Sequence, residues 1–219
     1  MISVYLEKID ENENIMGQRF NSLPRSVKEK IKETKNERLC RERICAYSLA
    51  LRALKDFDLP EEKIEKDFAF SESGKPYLKE CDIELSISHS GGMAAVAVCC
   101  GRSCGVDIEK AQKEKFETVR RITDKYSKTN LEVCFDLYDN IKTVTDEYGR
   151  ITRLNSNEKD DISPFLKWCS VEAALKCDGG GFLSASRLDD ISKEVKICLF
   201  RYDVGNEIFA VSLAIKDKT

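Results

Sequence analysis

The 219-residue sequence has a single histidine, four prolines and one tryptophan, and it lacks any long hydrophobic run. The longest unbroken apolar stretch, Met93 to Cys100, is far below the ~20 residues that cross a bilayer as a helix. The first residues have no basic flank followed by an apolar core, which argues against a secretory signal. These absences predict a protein of the cytoplasm that does not engage a membrane.

Zinc and disulfide patterns are also missing, although the chain contains ten cysteines. No CxxC pair occurs, and a single histidine excludes a Cys2His2 site. Without a secretory signal, a disulfide framework is not expected. We therefore expect reduced thiols, many of which serve as small core residues.

Neither sign of charge is in large excess, since 36 Lys and Arg oppose 39 Asp and Glu for a net charge of −3. This balance argues against a protein held on nucleic acid by bulk positive charge. The sequence also lacks a GxxxxGK[ST] loop, which an unrelated P-loop phosphotransferase would need. The length allows one large domain or two small ones with a sizeable core.

Hydrophobic periodicity predicts a mixture of helices and short strands. Strands are expected over 2–7, 83–88, 93–100, 106–109, 195–202 and 208–215, and helices over 24–33, 37–57 and 163–177. The three strands between 83 and 109 are separated by turn sequences, which predicts an antiparallel meander. We expect an α+β fold with a pseudo-twofold pair of similar halves, 1–109 and 110–219, each a long helix on a short antiparallel sheet. A site would lie between them.

The polar stretch 136–161 has only weak patterning, and two interpretations stay open for it. It could form a hairpin around Tyr148, Gly149 and Arg150. It could instead be a mobile insertion before helix 163–177.

Asp107 and Glu109 stand two residues apart in the third strand of the expected meander. Side chains alternate across a strand, so both carboxylates share one face while Val106 and Ile108 point into the core. Adjacent carboxylates repel unless a cation lies between them, and hard oxygen ligands suit Mg²⁺ or Mn²⁺. A solvent-facing strand surface explains the short D-x-E pattern equally well.

Two helices carry charge patterns that also have two interpretations. The start of helix 37–57 and the segment before it are basic, which fits either a solvated face or a phosphate-binding patch. In helix 163–177, Trp168, Glu172 and Lys176 recur every four residues, so they fall on or near one face. A surface salt bridge between the last two explains that spacing as well.

Several segments, taken in their order along the chain, resemble the 4'-phosphopantetheinyl transferases. They are RERICAYSLALR, SGKPYL, SISHSGG, GVDIEK and WCSVEAALK, and the resemblance spans roughly residues 24 to 181. It is closest to the larger, surfactin-synthetase-activating type, which is a monomer of about this length.

The resemblance implies an enzyme that moves the phosphopantetheine arm of coenzyme A, its co-substrate, onto a serine of an apo-acyl or peptidyl carrier protein and releases 3',5'-ADP. It matches Asp107, Glu109 and Glu172 to the carboxylates that hold Mg²⁺ or Mn²⁺. It also matches Lys176 to a conserved lysine, so that Asp107, Glu172 and Lys176 are the expected catalytic residues. The residues matched to coenzyme A contacts are Lys28, Arg43, Lys75, Ser88 and His89.

The sequence departs from the family pattern at two positions. Val171 stands where the family usually has a lysine, and Asn130 stands where it often has a glutamate. An amide cannot act as a base, so a non-catalytic relative that binds coenzyme A or a carrier protein remains an alternative. A metal-activated water and a carboxylate both fit the role of general base. Carriers of fatty acid, polyketide and peptide synthesis all fit the role of acceptor.

Overall fold

The structure is a computed structural model that describes residues 1–10, 12–126, 129–146, 149–154 and 162–218. The described elements, in chain order, are β1 (Ile2–Lys8), α1 (Glu13–Ser22), α2 (Arg25–Lys32), α3 (Glu37–Lys55), α4 (Glu61–Asp67), β2 (Phe68–Phe70), β3 (Pro76–Leu78), β4 (Ile83–Ser90), β5 (Met93–Cys100), β6 (Arg102–Lys110), α5 (Phe116–Asp124), β7 (Ile141–Thr145), β8 (Gly149–Leu154), α6 (Ser163–Asp178), α7 (Leu188–Ile191), β9 (Lys196–Val204) and β10 (Glu207–Asp217). The expected α+β class is confirmed.

Two four-stranded sheets form the centre of the molecule. The first has the order β4-β5-β1-β7, with β1 antiparallel to β5 and parallel to β7. The second has the order β6-β10-β9-β8 and is antiparallel throughout. Alternate residues of both sheets meet in a shared core, which includes Val4, Ala97, Val106, Phe200 and Val211. The sheets therefore pack face to face.

Helices cover the outer face of each sheet. On the first sheet, the apolar stripe of α3 packs its Leu49 and Leu54 in one cluster with Leu85 and Val96 of the strands. On the second sheet, α6 packs in the same way against β9 and β10. Each fully buried aliphatic side chain of this kind contributes ~1.5–3 kcal/mol, so burial of these two helix faces fixes the layers.

The predicted meander is wrong in its third strand. Strands β4 and β5 pair as expected, but β6 pairs with β10 in the second sheet. The reason is that a strand has only two hydrogen-bonding edges. Both edges of β5 are taken, one by β4 and the other by the distant strand β1.

Of the two interpretations left open for residues 136–161, the hairpin around Gly149 is not what the described strands form. Strand β7 ends before Gly149 and β8 begins at it, but β7 pairs with β1 and β8 pairs with β9, in different sheets. Tyr148 and residues 155–161 lie outside the described residues. The sheets do not follow the expected boundary at residue 109. Strand β6, which lies almost wholly before it, joins the second sheet, and β7, which lies after it, joins the first. The division into halves 1–109 and 110–219 stays a prediction.

The cysteines match their expected role in packing. All ten are free thiols, and six of them are buried. In the described ranges, no helix is both long and apolar enough to span a membrane.

Candidate functional site

The edge strands of the two sheets lie side by side where β4 runs along β6. In β4, Leu85 and Ile87 face the helix layer, while Ser86, Ser88 and Ser90 alternate onto the opposite face. The hydroxyl oxygen of Ser86 accepts a hydrogen bond from the backbone N–H of Val106 at 3.0 Å. Serine side chains of β4 therefore bridge the edges of β4 and β6. We call this line of contact between the two strand edges the seam.

Two serines of β4 hold the two carboxylates of β6. Ser88 donates a hydrogen bond to Asp107 Oδ1 at 2.7 Å, and Ser90 donates one to Glu109 Oε2 at 2.7 Å. The prediction that both carboxylates lie on one face of β6 is confirmed, and Val106 and Ile108 are buried in the core. A solvent-facing strand surface is excluded for Asp107, whose residue is only 2 % exposed.

Helix α6 brings two further predicted residues to the seam. The Lys176 ammonium donates to Asp107 Oδ1 at 2.6 Å and to Ser88 Oγ at 3.0 Å. Glu172, one turn earlier, has its Oε2 3.7 Å from Lys176 Nζ. The pair is therefore part of a half-buried charge network and not a surface salt bridge.

Gly105 explains how α6 comes so close to β6. A Cβ atom at this position would lie 2.0 Å from the carbonyl oxygen of Ala173 and 2.5 Å from the backbone nitrogen of Cys177. Only glycine lets the helix backbone rest on the strand at this point. The glycine of the GVDIEK segment thereby sets the distance between Glu172, Lys176 and the β6 carboxylates.

Burial and mutual repulsion shape the protonation of these carboxylates. Burial, followed by the charge of Asp107, raises the pKa of Glu172 to about 7. Burial also raises the pKa of Glu109, and Asp107 adds to this while the Ser90 hydroxyl opposes it. Burial by itself would lower the pKa of Lys176, but the charges of Asp107 and Glu172 leave it raised. The cluster therefore favours an ammonium ion and disfavours a third carboxylate charge.

The donor set of the seam fits a divalent cation. Asp107, Glu109 and Glu172 offer hard oxygen ligands, and their charges outnumber the single ammonium of Lys176. Asp107 Oδ2 is buried and has no hydrogen-bond partner among the described residues. Within those residues no group of three or more His, Cys, Asp or Glu is already arranged to hold a metal. The Lys176 ammonium makes the contact to Asp107 that a cation would make.

The predicted coenzyme A residues are distributed around this seam. Lys75 donates to the carbonyl oxygen of Cys104 at 3.2 Å, and its loop touches α6 through a Ser73 hydrogen bond to the carbonyl of Gly179. Arg43 on α3 donates to Thr34 Oγ1 at 2.6 Å. The loop containing Lys75 is thus held beside the end of the helix that carries Lys176.

Lys28 is not brought to the site by any hydrogen bond or ion pair within the described residues. Its neighbour Lys30 is closer to the relevant loop, since its Nζ lies 4.2 Å from the centre of the Phe70 ring and near Gly74. The two lysines stand on different faces of α2, whose buried residues are Val27 and Ile31. The spacing of Val27 and Ile31 along this helix is the sequence pattern that could have favoured Lys30 over Lys28 as a coenzyme A contact.

His89 and Ser88 point to opposite sides of β4. Ser88 faces Asp107, whereas His89 faces α3, where its Nδ1 lies 3.1 Å from Glu42 Oε2. Sequence reasoning missed Glu42, because nothing distinguishes it from other glutamates of a charged helix.

The two departures from the family pattern occupy different surroundings. Val171 is 1 % exposed and packs in an apolar cluster with Leu188 and Ile191. Asn130 is exposed, and no described contact joins it to the carboxylates.

Two cavities flank the turn that follows His89. One of about 520 Å³ lies between this turn and the start of α3, with Arg38, Arg41 and Glu42 in its wall. The other, of about 650 Å³, lies toward β1 and β10 and includes Lys8 and Glu207. Gly91 and Gly92 line both cavities, so the turn separates them.

The site thus combines three carboxylates and a lysine at a seam between two sheets, with basic residues and cavities close by. No protein-family model matches this sequence, and no curated protein matches it.

Proposed function

We propose that the chain transfers the 4'-phosphopantetheine arm of coenzyme A to a serine hydroxyl of an apo-carrier protein and releases 3',5'-ADP. The observation that carries the proposal is the convergence of Asp107, Glu109, Glu172 and Lys176 at the seam. These residues come from two separate segments that resemble the family, and the fold brings them into one charge network. A chance resemblance of short segments would not require them to meet.

The chemistry asks for a proton acceptor and for positive charge near the leaving group. The serine oxygen bonds to the phosphorus that carries the arm, the P–O bond to 3',5'-ADP breaks, and the serine proton passes to a base. A carboxylate or a metal-activated water at the seam can accept that proton at neutral pH. The ammonium of Lys176 suits the charge that develops on the leaving phosphate.

Asp107, Glu109 and Glu172 would hold Mg²⁺ or Mn²⁺. When bound, such an ion neutralises the pyrophosphate of coenzyme A. The buried, unpartnered Asp107 Oδ2 supports this assignment.

The anionic parts of coenzyme A would be bound around the seam. Lys75, Arg43, Ser88 and His89 remain the proposed contacts, and Lys30 is a better candidate than Lys28 because it lies beside the loop of Lys75. Phosphate groups are well matched by guanidinium and ammonium donors of this kind.

The halves of the fold would be related by a pseudo-twofold axis near the seam. Each sheet has a long helix, α3 or α6, on its outer face, and the edge strands β4 and β6 meet between them. We propose that the protein acts in this form as a monomer in the cytoplasm, where its thiols stay reduced.

The proposal is tested with coenzyme A, Mg²⁺ and a panel of apo-carriers from fatty acid, polyketide and peptide synthesis. At least one carrier should gain the mass of the phosphopantetheine arm in intact-mass spectra. Asp107→Asn should abolish the gain, whereas Asp190→Asn, a surface substitution on α7, should not. Coenzyme A binding without a mass gain on any carrier would favour the non-catalytic alternative.

A further inference from the structure

Glu42 forms a bridge between α3 and the only histidine of the chain. Its Oε2 lies 3.1 Å from His89 Nδ1, and its Oε1 accepts a hydrogen bond from Arg38 Nε at 3.1 Å. The Glu42 side chain is only 13 % exposed, and the residue lines the cavity of about 520 Å³ beside the Gly91–Gly92 turn. The bridge therefore connects the strand end at the seam to the wall of a cavity.

We infer that Glu42 is a positioning residue that fixes His89 for contact with a phosphate group of coenzyme A. This inference rests on the proposed function. Because Glu42 Oε2 lies 3.1 Å from Nδ1, the carboxylate favours a proton on that nitrogen and leaves Nε2 free to contact a ligand. A histidine held through one nitrogen presents the other in a single orientation, as with histidines that bind metals.

The charges around His89 determine what Glu42 must do. Burial lowers the pKa of His89, and Lys176 of α6 and Arg43 of α3 lower it further, whereas Glu42 opposes them. Glu42 is thus the group facing the imidazole that favours its charged form. A phosphate dianion at Nε2 would add a second such group and promote proton uptake.

A purely structural role explains the bridge less well. The Arg38 side chain is largely exposed, so its ion pair with Glu42 contributes little to stability. A second helix offers the same pair without a histidine, because Arg25 Nε lies 3.0 Å from Glu29 Oε1 at the same four-residue spacing. Glu29→Gln is therefore the matched control for Glu42→Gln.

Nitrogen-15 NMR of the full chain tests the inference directly, because a single imidazole needs no assignment. The wild type should show the Nδ1–H tautomer at high pH, and added 3',5'-ADP should raise the pKa of His89. Glu42→Gln should lower that pKa, mix the tautomers and weaken 3',5'-ADP binding on the order of tenfold. Glu42→Asp should restore part of the effect, and Glu29→Gln should match the wild type.

The same variants separate this inference from the transferase proposal. Glu42→Gln should raise the KM for coenzyme A and leave kcat nearly unchanged, because it acts on binding. If Glu42→Gln weakens 3',5'-ADP binding but no carrier is modified, the positioning role stands and the transferase proposal fails. A wild-type Nε2–H tautomer, a Glu42→Gln protein that titrates and binds like wild type, or no binding of 3',5'-ADP would each overturn the inference.

Discussion

Replacing Glu172 by glutamine should remove a pH-dependent destabilisation of the folded protein. The ordinary carboxyl pKa of 4.5 rises to about 7 at this position, because of burial first and the charge of Asp107 second. Between these two values the folded state binds the proton more tightly than the unfolded state does. Stability therefore falls as pH rises from 4.5 to about 7.

The magnitude follows from the size of that shift. At about 1.4 kcal/mol per pKa unit, the shift from 4.5 to about 7 sets an upper bound of about 3.5 kcal/mol on the cost at pH 8. Glutamine resembles the protonated acid, so Glu172→Gln should lie within about 1 kcal/mol of wild type at pH 5 and exceed it clearly in stability at pH 8. The gain should approach that bound.

Urea denaturation at pH 5 and pH 8, in the presence of a chelator, measures the effect. The difference in unfolding free energy between variant and wild type isolates the contribution of Glu172, because Glu109 and His89 titrate in both proteins. Glu114→Gln, at an exposed position, serves as the control. A stability difference that is the same at both pH values would refute the electrostatic account of Glu172.

Three further substitutions follow from contacts of α6 with β6 and with its apolar surroundings. Gly105→Ala should cost about 3 kcal/mol in denaturation experiments because its Cβ would meet the Ala173 carbonyl, and a cost below 1 kcal/mol would contradict the close approach. Lys176→Met should cost about 3–5 kcal/mol by leaving Asp107 buried without its cation, and Mg²⁺ should recover part of this loss in thermal melts. An absence of any Mg²⁺ effect on that variant would count against the metal assignment. Val171→Lys, which restores the family residue, should destabilise by about 3 kcal/mol or more without gain of activity, and an active, stable variant would show that the position faces the site.

Local patterns predicted the parts of the fold that depend on local physics. Alternation in β4 and β6 correctly placed Leu85 in the core and Asp107 and Glu109 on one face. Helical spacing put Glu172 and Lys176 one turn apart, as observed. These features depend only on the strand and helix periods, which the sequence carries directly.

Long-range pairing could not be predicted in the same way. The partner of β6 is β10, about a hundred residues later, and β5 is occupied by β1 from the start of the chain. Nothing local to residues 102–110 specifies that choice. This packing also produces the hydrogen bonds from Ser88 and Ser90 to the carboxylates and the contact between Glu42 and His89. These contacts therefore depend on distant elements as well.

The transfer reaction, followed as a single turnover, decides whether the protein is a phosphopantetheinyl transferase. Excess protein would be mixed with coenzyme A, Mg²⁺ and an apo-carrier that the panel shows to be accepted, or with each carrier in turn. We expect 3',5'-ADP and holo-carrier to appear in equal amounts with wild type, and neither to appear with Asp107→Asn. Folded wild-type protein that binds coenzyme A but forms neither product, or an Asp107→Asn protein that forms both, would contradict this expectation.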